Sequence, residues 1–202
     1  MEKLDNKIIE LLVGLLLSDG HIGRSENKSF ITMEQGIKHK DYVIYLHNLL
    51  TSMGMPLKNL KYYSRSDKRY NSINESIYFK SHNMESLNML ADMFLVDGIK
   101  VIPSNISNWL TPISLAHLIC GDGQLVKRGG ITLCTDNYTL EQVNILIKAL
   151  ELKFNTNCTI HNKKGKSGTV YYRIYIKKES FDVIKYLISQ HVHKSFLYKL
   201  HK

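Results

Sequence analysis

The chain has 202 residues, 44% of them hydrophobic and 22% charged, with three prolines and a net charge of +9. That balance excludes a globally disordered polymer. No apolar run approaches the roughly 18 residues of a membrane span. The opening MEKLDNKII has neither the apolar core of a secretory signal nor the arginine-rich character of a transit peptide, so neither is expected. Cys120, Cys134 and Cys158 form no CxxC pair; they read as three reduced thiols, and His191 and His193 have no cysteines nearby to complete a zinc site. The charge is lopsided. Residues 1–100 carry 13 Lys and Arg against 12 Asp and Glu, whereas 101–202 carry 14 against 6. Such a field favours a polyanion, either nucleic acid or a membrane surface. Lysine outnumbers arginine 22 to 5, the bias of an AT-rich organellar or phage genome.

In chain order, 7–18 reads as an apolar helix and 21–36 as two short strands around a polar turn. Residues 38–53 place apolar groups at helical spacing, with Gly54 as C-cap. Strands at 58–65 and 73–80 flank a turn at 66–72, and 83–95 is a helix stopped near Gly98. Residues 98–111 contain Pro103 and break the periodicity, which makes them a linker between a first half, 1–97, and a second, 112–202. Thr111 as N-cap and Pro112 at the first helical position open the next helix. Two strands around 127–130, a helix at 138–150, strands at 155–162 and 169–177, and a helix at 179–190 follow, then a basic tail. Each half thus repeats helix, strand, strand, helix, strand, strand, helix, an α+β plan. LVGLLLSDG at 12–20 matches LAHLICGDG at 115–123, and FITM at 30–33 matches GITL at 130–133.

Helix 7–18 is apolar almost all round, so it is buried on every side. Gly14 and Ser18 share one face, and Ala116, Cys120 and Gly121 are small in the second copy; these groups let the two helices pack closely at a seam between the halves. Each helix ends in Asp-Gly, at Asp19 and Asp122, where the helix dipole disfavours a carboxylate. Side by side, the two would repel strongly. A shared proton or a hard divalent cation relieves that, and carboxylate oxygens suit Mg²⁺.

The two motifs, about a hundred residues apart and each followed by strands, resemble the paired motifs of the LAGLIDADG homing endonucleases, in the monomeric two-motif branch. KVIPSNISNWLTPISLAHLICGDG and the tail FLYKL are similar to the intron-encoded members of yeast mitochondria. The resemblance spans roughly residues 10–200. It implies two pseudo-symmetric αββαββα units, each with a four-stranded antiparallel saddle lying in the DNA major groove. It further implies that Asp19 and Asp122 bind the metal (Mg²⁺ or Mn²⁺), and that Lys100 and Lys199 are the one basic group per active site. His117 departs from the pattern, standing where the first copy has Gly14.

Strand alternation separates a packing face from a reading face. Val170, Tyr172, Ile174 and Ile176 oppose Tyr171, Arg173, Tyr175 and Lys177. In the first half Leu60, Tyr62, Ile73, Ile77 and Phe79 oppose Lys61, Tyr63, Arg65, Asn74, Ser76, Tyr78 and Lys80. Arg24, Thr32 and Thr132 belong with the reading set, whose side chains suit base edges in a major groove. Lys163, Lys164 and Lys166, in the turn KKGKSG, grip phosphate. Residues 153–178 hold seven basic groups and no acid.

The function expected is hydrolysis of double-stranded DNA at a long asymmetric site, leaving 3′ overhangs. The expected enzyme is a monomer with no obligate protein partner, encoded in an organellar intron, that of a mitochondrion. An RNA-binding intron maturase is the main alternative. A regulator using the fold for DNA binding alone has no added helix-turn-helix to support it. A membrane-surface protein has no suitable amphipathic segment.

Overall fold

The computed structural model describes residues 4–67 and 71–201; the centre of the turn expected at 66–72 lies outside them. Helix α1 (Asn6–Leu17) starts at Asp5, whose carboxylate accepts from the Lys7 amide at 2.7 Å. Strands β1 (His21–Ser25) and β2 (Lys28–Gly36) form a hairpin, and helix α2 (Lys40–Ser52) follows. The left-handed Gly54 closes α2 while the Met55 amide bonds back to Leu50 O at 2.9 Å. Strands β3 (Lys61–Asp67) and β4 (Ser72–Lys80) complete a sheet of order β1-β2-β4-β3, antiparallel throughout. Helix α3 (Asn88–Phe94) ends the first half.

The second half repeats the plan. Helix α4 (Pro112–Asp122) opens on a reciprocal capping box between Thr111 and Ser114, with Pro112 in the first turn. Two further hairpins, β7 (Gly123–Leu125) with β8 (Ile131–Leu133) and β9 (Cys158–Lys164) with β10 (Val170–Ile176), make a sheet of order β7-β8-β10-β9, equivalent to the first. Helix α5 (Leu140–Phe154) packs on β9 and β10, and α6 (Lys178–Ile188) packs against α4. Ile22, Ile31, Met33, Ile77 and Phe79 of one sheet and Ile131, Leu133, Ile174 and Ile176 of the other are buried in one hydrophobic cluster running through both halves.

The structure corrects several expectations; the helix expected at 83–95, for one, is a 3-10 turn at Glu85–Leu87 followed by the shorter α3. Residues 98–111 do more than link. Asp97 and Gly98, both left-handed, make a tight turn between β5 (Leu95–Val96) and β6 (Ile99–Lys100), so Lys100 is carried on a short hairpin. Helix α5 runs on to Phe154 and stops at the left-handed Asn155, which delays β9 to Cys158. The basic tail is a docked 3-10 helix, Lys194–Lys199, anchored by the buried Phe196 and Leu200. Finally, Tyr62 and Ile73 do not pack: they are 65% and 71% exposed, because the β3–β4 hairpin projects past the helical layer.

The seam between the halves is α1 against α4. A Cβ at Gly14 would stand 2.3 Å from Ser114 O and 2.9 Å from His117 Cβ, and one at Gly121 would stand 2.6 Å from Ser18 Oγ. Gly14 therefore faces His117 and Ser18 faces Gly121, each motif position meeting its own counterpart across a pseudo-twofold axis. Ala116 is buried, but the close approach runs through the Ser114, His117 and Gly121 row, one helical step away. Gly14→Ala should cost about 1–3 kcal/mol, since a fixed backbone carbonyl cannot give way and the overlap exceeds the gain in helix propensity. In urea titrations of both variants, Gly36→Ala, with nothing within 4 Å of its Cβ, should be neutral. Equal effects would refute the close approach.

Candidate active site and nucleic-acid interface

The Asp-Gly at the end of each seam helix keeps its glycine for a steric reason. A Cβ at Gly20 would meet Leu15 O at 2.7 Å, and one at Gly123 would meet Ile119 O at 2.6 Å, so the chain turns against the last helical carbonyls. That turn delivers Asp19 and Asp122 to the same end of the seam. Asp19 Oδ2 comes within 2.8 Å of the Cβ position at Gly121, the residue before Asp122. Burial first, and then the Asp19 charge, pushes Asp122 up to about 7; Lys100 and Lys199 pull against this.

Both lysines close the helix ends that carry the aspartates. Lys100 Nζ donates to Ser18 O at 2.6 Å and Gly20 O at 3.0 Å. Lys199 Nζ donates to Ile119 O at 3.0 Å, Cys120 O at 2.6 Å and Gly121 O at 3.2 Å. Each satisfies carbonyls left open at a helix C-terminus and places a cation where the dipole is negative. Burial lowers both lysine pKa values, while Asp19 and Asp122 act to raise them. Lys199 is 6% exposed, a buried structural cation at the end of the chain.

Sequence reasoning missed several neighbours. Gln35 Nε2 donates to Asp19 Oδ2 at 2.6 Å, whereas the equivalent Thr135 donates instead to Tyr172 O at 2.5 Å, so the two carboxylates are held differently. The FITM and GITL alignment, extended two residues, pairs Gln35 with Thr135 but says nothing of their partners. His117 is buried, hydrogen-bonded through Nδ1 to Tyr42 Oη at 2.7 Å, and burial takes its pKa down to about 4. Tyr42 also meets Phe196 of the tail edge-on at 5.0 Å, so the second half's tail clasps α2 of the first.

The strand register collects most of the expected reading set on one face per sheet. Lys80 pairs with Thr32 and Thr32 with His21; Tyr78 pairs with Glu34 and Lys61; Ser76 with Tyr63; Asn74 with Arg65. Glu34, accepting from Ser76 Oγ at 2.6 Å, is an unforeseen acid in this row. In the second sheet Thr132, Thr159 and Tyr175 pair across the strands, as do Arg173 with His161 and Tyr171 with Lys163. Arg24 is a correction: it shares the face of buried Ile22, turned toward α3, and pairs with Asp92. Lys163 and Lys164 lie in β9, not the turn, and Lys164, opposite Val170, points to the other face from Lys163. Lys166 is in the turn, and Lys177 stands just past β10 as the N-cap of α6.

Among the described residues no three His, Cys, Asp or Glu side chains gather as a metal cage, and no helix is long and apolar enough to cross a membrane. Two carboxylates alone leave most positions around a hard cation to water or substrate oxygens, the usual arrangement for Mg²⁺ on phosphates.

Comparison with known proteins gives the context. The chain is 27% identical over 201 residues to the cytochrome b mRNA maturase bI2 of Debaryomyces hansenii, covering 98% of this chain and 74% of that one. It is 28% identical to the maturase of the same name from Saccharomyces cerevisiae, again over 98% of this chain but about half of the relative, 48%. In fold it resembles the homing endonuclease I-WcaI, solved bound to its DNA recognition sequence, with a TM-score of 0.85, 22% identity, and coverage of 99% of this chain and 88% of that one. Residues 9–184 match the LAGLIDADG DNA endonuclease family, and the chain belongs to that family.

Proposed function

We propose that the chain is a site-specific double-strand DNA endonuclease, working as a monomer and encoded in an organellar intron. The observation that carries this reading is the meeting of Asp19 and Asp122 at one end of the seam, each helix end closed by a lysine, between two polar sheet faces. The donor set fits Mg²⁺ or Mn²⁺, with Asp19 and Asp122 as protein ligands. A bound divalent cation supplies water activation and charge neutralisation at the phosphoryl oxygens. The chain's own groups do the rest. Gln35 fixes the Asp19 carboxylate, and Lys100 and Lys199 set the helix ends and add positive potential where phosphate charge develops. The reading faces hold the duplex so that one strand meets each half, and cuts across the minor groove leave 3′ overhangs with 5′ phosphates. A second reading, intron maturation through RNA, draws support from the two maturases similar over 98% of this chain.

Asp19→Asn and Asp122→Asn should each lower double-strand cleavage of the intronless gene by on the order of a hundredfold or more with Mg²⁺. Retained splicing of the host intron by both variants would identify maturation as a separate activity; full cleavage by both would remove the carboxylates from the chemistry.

Asp122 also makes metal-free stability depend on pH. Its folded pKa, about 7, is raised above the usual 3.8. The stabilisation is therefore complete below about pH 4 and lost as pH rises through about 7. With a chelator, Asp122→Asn should melt higher than the wild type at about pH 8 and level with it near pH 4. A gap independent of pH would mean that Asp122 titrates as an ordinary surface acid.

Lys199→Met should lower both the melting temperature and the cleavage rate, because it strands three carbonyls, at about 1–3 kcal/mol. Lys166→Met in the exposed turn should lower only affinity. An unchanged single-turnover rate with Lys199→Met would take that lysine out of the reaction.

A further inference from the structure

The second reading face carries a charge pair that phosphate binding does not explain. Arg173 Nε donates to Asp136 Oδ1 at 2.6 Å and its Nη2 to Asp136 Oδ2 at 2.6 Å, a side-on fork that neutralises the arginine. Lys163 Nζ lies 3.9 Å from the same carboxylate. The guanidinium holds Asp136 below the usual carboxylate range. Arg173 stands in β10 on the face opposite the buried Ile174 and Ile176, paired in register with His161. Its neighbour Tyr175 stacks on His161 at 4.8 Å and donates to Gly129 O at 3.0 Å, so the surrounding side chains are themselves held. Asp136 follows Cys134, whose amide bonds to Asp122 O at 2.9 Å, which places the pair beside the active site.

A guanidinium has five N–H groups. The side-on fork uses two and leaves the end-on edge, one N–H on each terminal nitrogen, as a second fork already fixed in direction. That edge matches the O6 and N7 acceptors that guanine presents in the major groove. A free arginine would serve a phosphate better; one neutralised and oriented by a carboxylate gains geometry at the expense of charge.

Resting on the duplex-DNA reading above, we propose that Arg173 reads one guanine in the second half-site, next to the cleavage centre, and that Asp136 is the positioning residue that aims it. Asp136 therefore contributes sequence discrimination and subtracts from general DNA affinity.

The test is binding selection by the full chain from duplex DNA with a randomised window long enough to span both sheets, followed by titration of the enriched duplex at several salt concentrations. The wild type should enrich a G·C pair that Arg173→Lys loses at that position alone, with discrimination there falling roughly 5- to 150-fold. Asp136→Ala should loosen the same position while steepening the salt dependence by about one phosphate contact, because it releases a charged arginine. That steepening is a change a merely structural strut would not produce. An unaltered motif in both variants overturns the proposal. So does a uniform loss at every position with a lowered melting temperature, which makes the pair a strut between β10 and the segment after β8. Enrichment of no motif by the wild type overturns the duplex reading and this inference with it.

Discussion

The contact between α1 and α4 governs the rest of this molecule. Two helices approach so closely that a single methyl group at Gly14 would overlap a carbonyl of the other. Ser18 and Gly121 meet in the same way near the far end. Once the backbones are this near, the residues that follow them have little choice of place, and Asp19 and Asp122 must share one small volume. Burial first, and the Asp19 charge second, raise the pKa of Asp122. The offset comes from Lys100 and Lys199, which do not form ion pairs with the acids but close the carbonyl ends of the helices. Packing and the meeting of the two carboxylates are therefore one feature: loosening the seam would separate them.

The pseudo-symmetry is close in backbone and loose in chemistry. Sheet order, hairpins and helix ends repeat. Yet Gln35 binds Asp19 while Thr135 turns away from Asp122, Gly14 faces His117, and among the described residues the arginine–aspartate fork of the second face has no matching pair in the first, where Glu34 binds Ser76. A homodimer would have to make both halves alike. One chain with two motif copies is free to present two different sheet faces.

Much of this was legible in the residues. Apolar periodicity marked the buried helices. The repeated Asp-Gly marked the two ends, and Thr111 with Pro112 marked a helix start that the capping box bears out. Strand alternation put Lys61, Tyr63, Arg65, Asn74, Ser76, Tyr78 and Lys80 together, as the register does. These features are local: periods of two or 3.6 residues, caps and tight turns depend on neighbours along the chain.

What the sequence could not decide depends on neighbours in space. Alternation alone does not say where a helical layer ends, so Tyr62 and Ile73 were expected to pack where the hairpin in fact projects into solvent. The same limit placed Arg24 on the reading face, although it follows buried Ile22 to the helix side and meets Asp92. The tail reads as a basic extension, yet Phe196 and Leu200 dock it and bury Lys199 against α4. Gln35 and Asp136 carry no local signal, and His117 shows only as a departure from the motif, because a hydrogen bond between residues far apart along the chain exists only after folding brings its donor and acceptor together. By itself the sequence determined the elements, their duplication and the two acidic helix ends. Tertiary structure decided which side chains are charged, buried or already engaged when a substrate arrives, since desolvation and pairing are properties of the packed chain.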